Sequence, residues 1–161
     1  MRTTLRSSAC ALALCLGACA AWMGTRFIAT VEAPMHEAYK RRVVESAETA
    51  TVHTRLFDGG WPDAPHRVLE NDTVRDWIAA GRPPTGVRPG EGEVVATQRG
   101  EPVRRYDDAP PTPDTEGRTD LLALYAGQST GVVGAVMPAA EVVRGTALEA
   151  AAILSGRRPE R

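Results

Sequence analysis

The sequence predicts an α/β chain that lends one strong strand and several helices to a larger sheet protein. Three observations carry that expectation. Ala9, Leu12, Ala13 and Leu16 recur at i, i+3, i+4 and i+7, which places them on one helix face with Gly17 as the C-cap. An apolar run then starts at Ala18 and reads as a buried strand ending at Met23-Gly24-Thr25, yet no later run is suited to pair with it in parallel. The 161 residues also hold 15 glycines and 12 prolines, above average usage, so turns and loops break the remainder into short elements.

Pro34 can open a helix at its first turn, and Tyr39, Val43, Val44 and Ala47 form an apolar stripe as far as Glu48, with Glu37 spaced to pair with Arg41. Thr49 to Phe57 is β-branched and reads as a strand or extended arm that stops at Asp58-Gly59-Gly60. A helix starting at Ala64 or Asp72 and running to Ala80 would bury Val74, Trp77 and Ile78, with Gly81 and Pro83-Pro84 as stops. Val94-Val95-Ala96 and Val103 to Tyr106 around Gly100 predict a small hairpin. Asp107 to Gly117, rich in prolines and acids, is expected to be extended loop, and truncating Trp77 is expected to cost more stability than any change there. Pro138 opens a last helix with Val143, Ala147, Ala150 and Leu154 on one face, stopped by Gly156; the residues from 156 to 161 form a polar tail.

Nineteen basic residues oppose 20 acidic ones, with both signs interspersed. That balance supplies neither the basic stripe a nucleic acid needs nor a polybasic cluster for a membrane surface. Cys10, Cys15 and Cys19 are odd in number and confined to the first 19 residues, so they cannot staple the rest of the chain. Two readings of that end stand side by side. One is the helix followed by a strand. The other is a secretory leader, with Arg2 and Arg6 before the apolar run and Leu16-Gly17-Ala18-Cys19 similar to a bacterial lipobox, which would make the chain a small secreted or lipid-anchored protein without enzymatic activity.

Chemistry-bearing residues are few. Gly24 lets a backbone come close to a ligand and Thr25 adds a hydroxyl and an amide, a pairing that suits a phosphate but also fits an ordinary turn. His36, His53 and His66 share no metal-ligand spacing, so no metal site is assigned; a solvated or capping role suits His36 and His66. Trp61 and Trp77 read as packing residues. Ala126-Gly127-Gln128-Ser129 breaks an apolar stretch, and Gln128 either faces a ligand or lies exposed after a helix C-cap at Gly127.

Ala11-Leu12-Ala13-Leu14, Trp22-Met23-Gly24-Thr25-Arg26-Phe27-Ile28-Ala29-Thr30, Glu32-Ala33-Pro34 and His36-Glu37-Ala38-Tyr39-Lys40 together resemble the C-terminal part of the nitronate monooxygenases, also called 2-nitropropane dioxygenases. Ala126-Gly127-Gln128-Ser129 with Gly131, and Pro138-Ala139-Ala140-Glu141-Val142-Val143, are similar to that family's closing loop and final helix. The likeness covers about residues 9 to 155 and leaves residues 1 to 8 unmatched.

The resemblance implies the C-terminal fragment of an FMN-binding (β/α)8 barrel, with its last strand, its helices and a small hairpin insertion. A complete barrel takes roughly 250 residues, so this chain would hold part of one. Trp22, Met23, Gly24 and Thr25 would end strand 8 beside the FMN phosphate, with Gln128 as a further cofactor contact. The family oxidises alkyl nitronates with dioxygen to a carbonyl compound and nitrite, which implies a nitronate and dioxygen as partners, no nucleic acid or membrane, and a cytoplasmic setting. Its catalytic histidine lies in sequence that would precede residue 9, so no catalytic residue is assigned, and His36 does not inherit that role. The resemblance therefore implies a chain of enzyme ancestry that is inactive and does not retain FMN by itself.

Overall fold

The computed structural model describes residues 16–17 and 22–156, in which five short strands and four α-helices are laid against one extended segment. The helix expected over residues 9 to 16 and the start of the strand at Ala18 lie largely outside the described residues, as do Cys10, Cys15 and Cys19 and most of the polar tail. The first described element corrects the sequence reading. Gly24–Ile28 is a helical turn, α1, so a strand can reach no further than Met23. The expected strand overlaps this turn at Gly24 and Thr25, and a short apolar run followed by Gly-Thr-Arg carries no period that separates a strand end from a helix start. After α1, Ala29 is fully buried and Thr30 forms a parallel bridge with Met137.

Helix α2 spans Glu37–Glu45, three residues later than Pro34 suggests. His36 caps it, its Nδ1 accepting the Ala38 N–H at 3.1 Å, while its own amide donates to the Pro111 carbonyl at 3.0 Å. Tyr39 and Val43 are buried as the stripe predicts, Val44 is half-buried, and Ala47 lies exposed beyond the helix. Glu37 pairs with Lys40 at 3.0 Å instead of Arg41. Lys40 is buried and also donates to the Val31 carbonyl at 3.3 Å, so the closer partner satisfies a charge that burial would otherwise leave exposed to a large penalty.

Strand β1 (Thr51–Thr54) pairs antiparallel with β2 (His66–Leu69), in the register Thr51 to Leu69 and Thr54 to His66. β2 was not legible as a strand, and the helix begins at the later of its two candidate starts: α3 spans Asp72–Ala79 with Asn71 as its cap. Val74 is fully buried, Trp77 is half-buried with its indole N–H on the Pro83 carbonyl at 2.9 Å, and Ile78 is exposed, contrary to expectation. The hairpin forms as expected, with β3 (Val94–Gln98) against β4 (Glu101–Arg104), and gains a third strand, β5 (Thr115–Gly117), on the other edge of β3. The segment from Asp107 to Gly117 is therefore more than extended loop. Pro111 is fully buried, Thr115 is buried, and Gln98 Nε2 donates to the Pro110 carbonyl at 3.2 Å, so changes there are not uniformly cheap.

The last helix, α4, spans Ala139–Leu154 and turns inward a face that shares only Ala150 with the predicted one. Val142, Thr146 and Ala150 are buried, whereas Val143 is 57% and Leu154 68% exposed and Ala147 is also exposed. A buried threonine hid that face: Thr146 Oγ1 donates to the Val142 carbonyl at 2.9 Å, which lets a polar residue sit inside.

Leu121–Ala126 connects three apolar clusters. Leu121 and Leu122 join Val95, Ala96 and Val103; Ala123 joins Leu56, Phe57, Val68, Val74 and Tyr106; Leu124 and Ala126 join Ala29, Tyr39, Val43, Leu69 and Val133. The segment runs beside β2, with the Leu69 amide on the Leu124 carbonyl at 2.8 Å and the Ala126 amide on the Arg67 carbonyl at 3.0 Å. Side chains bind three more of its carbonyls: Thr73 Oγ1 donates to Leu121 at 2.8 Å, Asn71 Nδ2 to Leu122 at 2.9 Å, and the Tyr39 hydroxyl to Tyr125. Asn71 also accepts the Val74 amide at 3.1 Å, so one side chain caps α3 and ties it to the segment. Asn71→Ala is expected to destabilise the chain by about 2 to 3 kcal/mol, combining a lost cap with an unsatisfied buried carbonyl. A urea midpoint equal to that of an exposed control such as Arg99→Ala would contradict this role.

Candidate functional site

The two segments expected to contact a cofactor meet in the structure. Thr25 lies in the first turn of α1, buried, and its Oγ1 accepts the Gly127 amide at 2.9 Å across 102 residues of sequence. Gly127 is consequently the N-cap of a short 3-10 helix, Gln128–Val132, and not the C-cap of a preceding helix. Gln128 follows it and is exposed, as the second of its two sequence readings has it.

Around this bond the expected residues divide by exposure. Trp22 is 98% exposed and Gly24 is exposed, Met23 is half-buried, and only Thr25 is buried. Met23 makes no side-chain cap to α1 and no acidic residue stands in its first turn, so the leading amides of that helix are not taken by a side chain. A Cβ added to Gly24 would meet nothing nearer than the Trp22 indole nitrogen at 3.8 Å, so this backbone is open to close approach. Arg26 turns away and binds the carbonyls of Ala29 at 3.1 Å and Ala135 at 3.2 Å; burial holds its pKa below the usual guanidinium value.

Two further residues fix the loop from behind. Thr130 is fully buried and donates to the Val43 carbonyl at 2.7 Å, anchoring the turn to α2. A Cβ on Gly131 would stand 2.8 Å from the Glu48 backbone nitrogen, so only glycine allows that approach. Sequence reasoning gave Thr130 no role, and its one signal is a position three residues after Gly127.

The histidines take structural places. His53 is exposed on β1. His66 binds the Ala64 carbonyl through Nδ1 at 2.9 Å and accepts the Phe57 amide on Nε2 at 3.4 Å, and burial lowers its pKa. Trp61, expected to pack, is 69% exposed. Among the described residues no group of three or more His, Cys, Asp or Glu side chains is placed to hold a metal, and no helix is long and apolar enough to cross a membrane.

All three tyrosines are raised above their ordinary range. Burial comes first in each case; Tyr125 is also pushed by the Asp108 charge to about 12, and Tyr39 by Tyr125. A phenol raised in the folded state contributes stability that is intact below the unfolded value near 10 and disappears as the pH climbs through the folded value. Stability is therefore expected to fall between about pH 10 and 12, with phenolate absorbance appearing together with unfolding. Three tyrosines ionising near pH 10 in a chain that stays folded would contradict this.

The family model described as nitronate monooxygenase matches residues 5–147. The nitronate monooxygenase npaC of Metarhizium robertsii is 35% identical over 157 residues, covering 90% of this chain and 39% of the relative. The solved structure of nitroalkane oxidase from Streptomyces ansochromogenes is similar with a TM-score of 0.60 at 24% identity, over 95% of this chain and 39% of the other. FabK from Thermotoga maritima gives 0.58 at 21% identity, over 95% and 43%. The likeness to these two structures concerns fold, and the chain spans about two fifths of the relatives it matches.

Proposed function

The chain belongs to the nitronate monooxygenase family, and we propose that it supplies the closing portion of an FMN-dependent barrel that oxidises alkyl nitronates with dioxygen to a carbonyl compound and nitrite. The fold supports this: the described residues are α/β with no closed barrel of their own, and they match a portion of larger structures. The observation that carries the reading is the 2.9 Å bond from the Gly127 amide to Thr25 Oγ1, because it joins the two segments that the family resemblance places at FMN.

The donor set suits the phosphate end of that cofactor. Gly24 and Thr25 offer backbone amides without a side-chain cap, Gly24 leaves room for an oxygen to come close, and Trp22 and Gln128 present an indole N–H and a carboxamide from exposed positions. Met23 adds apolar surface beside them. Bound FMN supplies the redox chemistry, and the protein contributes binding and orientation. Thr25 has a second task, since its hydroxyl holds the Gly127 turn and so sets where Gln128 stands. Catalytic proton transfer is not assigned to a residue here, since His36, His53 and His66 are engaged or remote from this surface.

Thr25→Pro removes an amide donor together with the acceptor for Gly127, and proline is tolerated in a first helical turn. In a complete barrel carrying this segment it is expected to lower FMN retained through gel filtration at least tenfold, the equivalent of about 1.5 to 3 kcal/mol for a hydrogen bond to a charged oxygen, whereas Thr25→Ser retains the flavin. Unchanged flavin content would overturn the assignment. The 161-residue chain alone is expected neither to keep FMN nor to release nitrite from a nitronate, because a few hydrogen bonds of about 1 to 3 kcal/mol do not offset an association cost of roughly 4 to 15 kcal/mol. Stoichiometric flavin with nitronate-dependent oxygen uptake from this chain would require a different site.

A further inference from the structure

A cavity of about 240 Å3 is lined by Phe57, Trp61, His66 and Tyr125 together with Asp108. From this arrangement we infer a binding site for a small organic ammonium group, such as a methylated amine, that rests on an aromatic box and faces a carboxylate.

The rings are ordered by contact. His66 lies 5.5 Å from Tyr125, edge to face, and 6.0 Å from Phe57 at a tilt. Phe57 is buried and forms the floor, while Trp61, 69% exposed, stands at the opening. Close packing of two backbones holds the Trp61 loop next to Asp108. The Gly59 amide donates to the Tyr106 carbonyl at 3.1 Å, and a Cβ on Gly60 would stand 2.5 Å from Asp108 Oδ1. Tyr125 completes the frame by donating to the Asp108 carbonyl at 2.9 Å.

Asp108 is half-buried, and among the described residues no arginine or lysine forms an ion pair with it. The nearest titratable ring does not compensate it either. His66 spends Nδ1–H on the Ala64 carbonyl and Nε2 on the Phe57 amide, an arrangement that needs the neutral imidazole, and burial favours that form. The cavity thus combines aromatic rings with an acidic residue that no arginine or lysine of the described residues pairs with. Aromatic faces attract an alkylated ammonium through their quadrupole, and a carboxylate adds a directional charge. The volume lies below the roughly 300 to 1,000 Å3 of sites for drug-sized ligands, so the group it holds is small.

The test uses the 161-residue chain and tetramethylammonium chloride, followed by backbone and indole amide NMR, with sodium chloride at the same ionic strength and uncharged 2,2-dimethylpropanol as controls. Saturable shifts confined to Trp61, Gly60, Asp108 and Tyr125 are expected for the ammonium alone. Asp108→Asn and Trp61→Ala are each expected to weaken binding at least tenfold with the remaining spectrum unchanged. Absence of saturation with the wild-type chain would overturn the proposal. So would equal binding of the uncharged alcohol, a comparison that needs no variant to fold, or an undiminished affinity in Asp108→Asn.

Discussion

Hydrogen bonding along Leu121–Ala126 is the constraint on which the rest of the structure depends. The segment has no helix or long ladder of its own, so its carbonyls must be satisfied one at a time by β2, α2 and α3. Each bond brings an element with it. Because its residues are divided among three apolar clusters, one extended strip of backbone fixes the mutual positions of the β1–β2 ribbon, the three-stranded sheet and α2. Small elements that could not be stable as isolated hairpins or turns become parts of one core in this way.

The same strip positions the surface proposed for FMN. Ala126 is held by Arg67, the next amide, Gly127, is held by Thr25, and Thr130 is held by Val43. The turn that carries Gln128 is therefore pinned on both sides before any ligand is considered, which is the preorganisation a binding loop needs. Arg88 braces a second part of the structure. Buried over the Tyr106 ring at 4.2 Å, it binds the Leu56 carbonyl at 2.9 Å and Asp58 at 2.8 Å, so the 56–58 backbone below the aromatic cavity is fixed as well.

Much of the outline was legible because local signals and packing agree. The α2 stripe of Tyr39 and Val43, the hairpin around Gly100 and the extent of α4 follow from periodicity and from glycine and proline punctuation. The family resemblance named Thr25 and Gln128, and the bond from Gly127 to Thr25 brings their two segments into contact. What escaped was decided by distant partners. β2 is a strand only because Thr51–Thr54 and Leu124 pair with it, and α1 begins at Gly24-Thr25-Arg26, where the apolar run ends in residues that fit a strand end or a helix start equally. Asp108 opposite Trp61 depends on two glycines allowing close backbone approach, a juxtaposition with no linear signature. The inward face of α4 was misread by one residue because Thr146 is buried through a bond to its own helix.

Native-state hydrogen exchange measured amide by amide tests the central claim most directly, since the claim is that one strip holds core and site together. The amides of Leu69, Ala126 and Gly127 donate to Leu124, Arg67 and Thr25, and they are expected to exchange together in the slowest class, through a shared opening. Fast, independent exchange at Ala126 and Gly127 while Leu69 stays protected would contradict the account, because the site would then be a loose loop on a core that does not depend on it.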